Sequence, residues 1–277
     1  MTKLYFGDGT SISIGESEEN KRVIPWICTQ HRGCTINVPE ETIPSFYESM
    51  LNGCDGFEVD VQSTSDGVMV LTHGNPITDI NGTEYSVTGT DYATLKEVVL
   101  QSTTKYGNIK IATLEEALKF CYYHGKFLVM DSIGNVAEAT KIANMVVNCG
   151  MSGKCIYMLV FHTDDVTEIS QAILAVDSRA KIAIDYAEGL TSTTYDNLTT
   201  NKDQILILMK KALITDTAIS EIKASGYPMY FWDFNSSDSV ATYAKYKPDY
   251  WQYESDQIPS ELNSAYIDTL DFGKGIS

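Results

Sequence analysis

The chain has 277 residues, 43% of them hydrophobic, with 20 basic against 37 acidic side chains and a formal net charge of −17. That balance argues against nucleic acid or an anionic membrane as the main partner, because like charges repel. An anionic substrate stays compatible if a metal inverts the local field. The length suits a single large α/β domain with a substantial core, since barrels of this size are common.

The first 20 residues read as a small hairpin: "KLYF", a "GDG" turn, then "SISI" with period-2 alternation. "GESEENKR" follows as a polar linker. We therefore expect an N-terminal hairpin and linker over residues 1–21, and one domain over 22–277. The start of the chain lacks the continuous apolar run of a signal peptide, which predicts cytoplasmic synthesis without one. No stretch approaches the ~18 apolar residues needed to span a bilayer, so no transmembrane segment is expected.

From residue 22 strand and helix patterns alternate. "VIPWICTQ" (23–30) predicts a strand and "TIPSFYESMLNG" (42–53) a helix, with Thr42 able to cap it, Pro44 in its first turn and Gly53 to stop it. "GFEVDVQST" and "VMVLTH" read as strands joined through "SDG". The polar stretch 74–92 reads as an excursion over one barrel end. Helix and strand then alternate: "TLEEALKFCYYHG", "KFLVMDSI", "NVAEATKIANMVVNCG", "CIYMLVF", "TDDVTEISQAILAVDS" and "KIAIDYA". After a loop come "QILILMKKALITD", which is ambiguous, the helix "TAISEIKASG", the strand "YPMYFWDF", the helix "SDSVATYAKY" and the strand "DYWQYES". Roughly seven or eight such units with near-continuous apolar strands predict a (β/α)8 TIM barrel with one core. The six cysteines contain no CxxC pair and mostly fall in apolar runs, where they read as buried free thiols.

Barrel chemistry sits at the C-terminal ends of the strands. The polar residues there are His31, Glu58 with Asp60, His73, Asp131, His162, Asp185, Trp232 with Asp233, and Glu254 with Asp256. Side chains of a strand alternate between faces, so Phe57, Val59 and Val61 point one way and Glu58 and Asp60 the other. Buried acids are costly unless paired or bound to a metal. Lys126 is the only base on these strands, and it lies at the far end. With Asp131 the pair makes an all-oxygen set suited to one divalent cation, Mg²⁺ or Ca²⁺; a salt-bridged pair at the barrel mouth is the alternative. His31 and His73 are suited to general acid and base roles, and Arg32 offers a fork for phosphate oxygens. His124 reads as a capping residue at a helix end.

Four blocks in order, "HRG" (31–33), "PEET" (39–42), "GFEVD" (56–60) and "DGVMVLTH" (66–73), resemble the signature of glycerophosphodiester phosphodiesterases. "IATLEEAL" (111–118), "LVMDSI" (128–133) and "FWDFN" (231–235) extend the likeness over about residues 22–260. The resemblance implies a metal-dependent TIM-barrel phosphodiesterase. It assigns Glu58, Asp60 and Asp131 to the metal, His31 and His73 to acid–base catalysis, and Arg32 to the phosphate. Glu40 becomes a polar residue of the site edge, with helix N-terminal electrostatics as its alternative role, and Trp232 an aromatic packed on glycerol, with a plain core aromatic as its alternative. Three departures stand out. Gly74 replaces an acid beside His73, Asp131 replaces a longer Glu, and Ile133 replaces a lysine.

The expected reaction is hydrolysis of a glycerophosphodiester to an alcohol and glycerol phosphate. The substrate is a small deacylated phospholipid or, alternatively, a glycerol-phosphate polymer such as teichoic acid. The latter suits a phage-tail or wall-associated barrel that docks to an assembly partner through its hairpin. The missing acid and lysine also allow a catalytically impaired barrel with a binding or structural role. A phospholipase-D-like toxin would need a lipid-facing loop, and 74–92 is too polar for that.

Overall fold

The structure, a computed structural model, describes residues 2–5, 11–14, 27–159, 166–186, 201–235, 238 and 240–254. Strands β1 (Thr2–Tyr5) and β2 (Ser11–Ile14) pair antiparallel in a two-stranded sheet of their own, as the alternation predicts. The "GDG" turn, the linker and residues 23–26 lie outside the described residues. Next come β3 (Ile27–His31), α1 (Ile43–Leu51), β4 (Gly56–Ser63) and β5 (Met69–Leu71). The chain continues through β6 (Ile77–Thr78), β7 (Glu84–Tyr85), α2 (Tyr92–Leu95), β8 (Gln101–Thr103) and β9 (Gly107–Ile109). It resumes the regular rhythm with α3 (Leu114–His124), β10 (Phe127–Asp131), α4 (Val136–Asn148), β11 (Cys155–Leu159), α5 (Val166–Val176) and β12 (Lys181–Asp185). The ambiguous "QILILMKKALITD" resolves into β13 (Ile205–Lys210) and a short 3-10 turn. Then follow α6 (Asp216–Ser225), β14 (Met229–Phe234), α7 (Val240–Ala244) and β15 (Tyr250–Tyr253).

Eight strands close on themselves in the order β3, β4, β10, β11, β12, β13, β14, β15 and back to β3, every pair parallel. This is the expected (β/α)8 barrel. Alternation sorts each strand into two faces. The outward set, including Phe57, Val59, Val61, Leu128, Met130, Ile207 and Trp251, packs beneath the helices in one large cluster. The inward set, Val129, Ile156, Met158, Ala183, Leu206, Leu208, Tyr230 and Tyr250, fills the barrel. Each buried Val, Leu, Ile or Met side chain among them contributes roughly 1.5–3 kcal/mol. Inward polar groups satisfy one another: Tyr230 donates to Gln252 Oε1 at 2.7 Å, which leaves Thr29 to donate to the Tyr230 oxygen at 2.8 Å. That layer is the floor of the upper barrel.

Local chemistry ends the helices where the sequence places them. Thr42 and Ser45 form a reciprocal capping box on α1, with Pro44 in its first turn; Asn52 is its C-cap and Gly53 follows at φ +91°. Thr113 and Glu116 do the same for α3. His124 does not cap that helix: left-handed Gly125 does, while the His124 ring packs 4.4 Å from Phe120. Five of the cysteines are buried and Cys149 partly so, all as free thiols.

Two expectations need correction. "VMVLTH" is no barrel strand: β5 is a three-residue segment antiparallel to the upper end of β4, on the outside of the barrel. A "DG" turn between two extended runs folds back locally, whereas parallel neighbours need a long crossover. The excursion is also larger than 74–92, running through both short hairpins to residue 109. It buries its own satellite cluster, Val70, Ile77, Val87, Leu95, Val98 and Ile111, so the protein has a small second core.

Candidate functional site

The C-terminal ends of the barrel strands frame a cavity of about 430 Å³. His31 from β3, Glu58 and Asp60 from β4, Asp131 from β10, Trp232 from β14 and Gln252 from β15 line it, together with Arg32 and His73. The acidic pair reaches it by strand alternation alone: Phe57, Val59 and Val61 take the core side and leave Glu58 and Asp60 inside the barrel. Register then sets the third acid opposite, with Asp131 beside Asp60. One oxygen from each of Glu58, Asp60 and Asp131 lies within 4.8 Å of the others.

Such a cluster is strained electrostatically. Glu58 is 2% exposed, and burial, then the charges of Asp60, Glu41 and Asp131, push its carboxyl well above the usual range. Asp131 is pushed up to about 6, chiefly by burial and further by Asp60, against the pull of the Ser132 N–H. Arg32 offsets part of this. Its Nε stands 3.3 Å from Asp60 Oδ2 and its Nη1 3.4 Å from Glu40 Oε2. Burial works against the guanidinium charge, but Asp60, Glu40 and Glu58 outweigh it and raise its pKa. The backbone supports the same geometry: the Arg32 N–H donates to Glu58 O at 3.0 Å, and Arg32 is left-handed at φ +55°. Gly33 follows at φ +77°, and a Cβ there would come within 2.5 Å of Ser45 Oγ. The "HRG" turn therefore needs glycine both for its dihedral and for its close approach to α1.

His31 is held from two sides. Its Nδ1 lies 2.6 Å from Glu254 Oε2, and its Nε2 lies 3.5 Å from Glu58 Oε2. The short contact fixes the ring so that Nε2 faces the acid cluster. His73 also lines the cavity but is exposed, and it follows the outer strand β5, so the two histidines do not occupy equivalent barrel positions. Glu40 is exposed and two residues ahead of the Thr42 cap. It engages Arg32 and does not line the cavity. Asp185 does not line it either, and His162 and Asp256 lie outside the described residues. Gly74 is exposed, and Ile133 is fully buried in the outer core, so neither position faces substrate with a charge.

Several groups had no role assigned from sequence. Glu41 is 1% exposed at φ +55° and its Oε1 accepts the Asp60 N–H, while Oε2 has no hydrogen bond among the described residues. Burial, then Asp60, raise its carboxyl well above the usual range, and its hydrogen bond from the Asp60 N–H makes it a support beneath the β4 acids. In "PEET" it is the residue after Glu40, and nothing in the residues marks it, because its left-handed φ and its burial arise only in the fold. Ser132, at φ +65°, donates to Asp60 Oδ1 at 2.8 Å and joins the lining. Glu254 and Asp233 do appear among the strand-end residues, but nothing in sequence links Glu254 to His31.

The donor set suits a hard divalent cation: three carboxylates, all oxygen, from two adjacent strands. Asp60 Oδ2 supplies an independent sign. It is buried and, although near Arg32, makes no hydrogen bond among the described residues, an arrangement a bound cation would complete.

Human glycerophosphodiester phosphodiesterase 1 is 31% identical over 115 residues, 40% of this chain and 35% of that protein. The chain thus spans about a third of the length of that relative. A glycerophosphodiester phosphodiesterase from Caldanaerobacter subterraneus is 49% identical over 47 residues, 17% of this chain and 19% of that protein. Among solved structures, an Oleispira antarctica phosphodiesterase in complex with its product sn-glycerol-3-phosphate superposes with a TM-score of 0.69 at 19% identity, covering 88% of this chain and 97% of that one. A glycerophosphodiester phosphodiesterase from Agrobacterium tumefaciens superposes with a TM-score of 0.66 at 16% identity, covering 87% and 99%. Both share the barrel. A model of the glycerophosphoryl diester phosphodiesterase family matches residues 31–250, most of the sequence, from the last residue of β3 to the first of β15, and the chain belongs to that family.

Proposed function

We propose that the protein hydrolyses glycerophosphodiesters with a divalent cation held by Glu58, Asp60 and Asp131. The observation that carries this reading is the convergence of those three acids with Arg32 and an oriented His31 in one cavity. When bound, the cation supplies positive charge that withdraws electron density from the phosphoryl group and offsets the clustered acids.

The chain's own residues do the rest. Arg32 is pinned by Asp60 and Glu40 so that its planar fork meets phosphate oxygens without further ordering. Glu254 fixes one nitrogen of His31, leaving Nε2 to exchange a proton with the reacting oxygen. His73 at the rim serves the opposite side: one histidine accepts the proton of the attacking water or glycerol hydroxyl, and the other returns one to the leaving alkoxide. Proton count and charge then balance over the cycle. Residues 1–21, whose strands pair with each other, stand as an appendage outside this chemistry in the same reading.

The test is turnover of glycerophosphocholine with Mg²⁺ or Ca²⁺, with and without chelator, in wild type, Glu58→Gln and His31→Ala. Activity is expected in wild type alone and only with metal. Activity retained by both variants would overturn the assignment.

A further inference from the structure

We propose that Asp233 is a specificity-determining residue whose carboxylate accepts hydrogen bonds from hydroxyls on the glycerol side of the substrate. The proposal rests on the phosphodiesterase reading above and concerns a residue that the metal and phosphate chemistry leaves unused.

Consecutive strand residues face opposite sides, yet Trp232 and Asp233 both line the cavity. The cause is a bulge in β14. The outward residues Phe231 and Phe234, both fully buried in the outer core, are three apart instead of two, and the register with β15 shifts between them. Asp233 absorbs the extra residue at φ +69°, a left-handed conformation that is unfavourable for a non-glycine residue. Without the bulge Asp233 would turn outward with the core residues. Strain of this kind persists where a side chain must be aimed.

The surroundings define what the carboxylate can read. It lies outside the Glu58–Asp60–Asp131 cluster. Lys210 shares the inward parity of Leu206 and Leu208 and pairs in register with Trp232. Its Nζ stands 3.7 Å from Asp233 Oδ2 and 5.1 Å from the centre of the Trp232 ring. At 3.7 Å the contact is Coulombic and not a hydrogen bond, so it balances the charge without consuming acceptor sites. A carboxylate already neutralised by an ammonium is a poor trap for a cationic alcohol, and as an acceptor it repels a second phosphate. Adjacent hydroxyls suit it: they donate, they carry no charge, and their carbon chain packs on the neighbouring indole.

Binding of glycerol 3-phosphate and of inorganic phosphate, measured by calorimetry on the full chain with Mg²⁺ present, tests this separately from turnover. The two ligands share the phosphate and differ in the hydroxyls. Wild type is expected to prefer glycerol 3-phosphate by about tenfold or more. Asp233→Gly fits φ +69° without strain and should lose that preference while binding phosphate as before; Asp233→Asn, which keeps one acceptor, should retain part of it. An unchanged preference in Asp233→Gly, an equal loss for both ligands, or no preference in wild type would overturn the proposal. Failure of wild type to hydrolyse glycerophosphocholine would instead count against the phosphodiesterase reading.

Discussion

Replacing Asp131 with Asn should stabilise the metal-free protein while removing a ligand of the proposed metal site. In the fold this carboxyl is pushed from 3.8 to about 6 by burial and by Asp60. The sign follows from proton counts. Between about pH 4 and 6 the folded state holds a proton that the unfolded state lacks, so stability falls as pH rises through that window. Above 6 both states are ionised and the full penalty applies, at most about 3 kcal/mol for a shift of this size. Asn removes the charge and keeps the oxygen that accepts the Ser132 N–H at 2.6 Å. Allowing for the buried amide, a gain of about 1–2 kcal/mol is expected near pH 8, or about 2–8 °C in Tm for a chain of this size. Thermal unfolding in chelator near pH 8 and near pH 5 reads both effects. Wild type should gain stability at the lower pH from this group and the variant should not. A variant less stable than wild type in chelator at pH 8 would refute the electrostatic reasoning.

Three further outcomes follow from the same geometry. Because Asp131 and Glu58 are both held above the usual carboxylate range, protons should compete with Mg²⁺ or Ca²⁺, and calorimetric affinity should drop steeply below about pH 6. Glu254→Gln keeps a polar partner for His31 Nδ1 but removes the charge now 2.6 Å away; kcat should fall by about 10²-fold with little change in KM or Tm, and an unaltered kcat would count against Glu254 as an orienting group. Gly33→Ala meets both a φ of +77° and a Cβ 2.5 Å from Ser45 Oγ. It should cost about 1–3 kcal/mol by urea unfolding, and a neutral result would show that the "HRG" turn can move.

Much of this architecture is local in origin and was therefore legible in the residues. Period-2 alternation in "GFEVDV" by itself separates Phe57, Val59 and Val61 from Glu58 and Asp60, because side-chain direction along a strand needs no partner to define it. Capping acts over three or four positions, so Thr42 begins α1 as read, and Thr113 caps the helix read from its position onward. Other features depend on what lies across the chain. The outer position of β5 follows from its antiparallel pairing with β4, and a short apolar run looks the same in either role. Glu254 reaches His31 only because β15 closes the barrel against β3, more than two hundred residues away in sequence. The burial that raises Glu58, Asp131 and Glu41 has the same source: a pKa depends on desolvation and on neighbouring charge, and both are set by which strands meet. The amino-acid order thus determined the elements, their faces and the inventory of reactive groups. Only the closed barrel decided which of those groups share one low-dielectric space, and so which of them can act on one another.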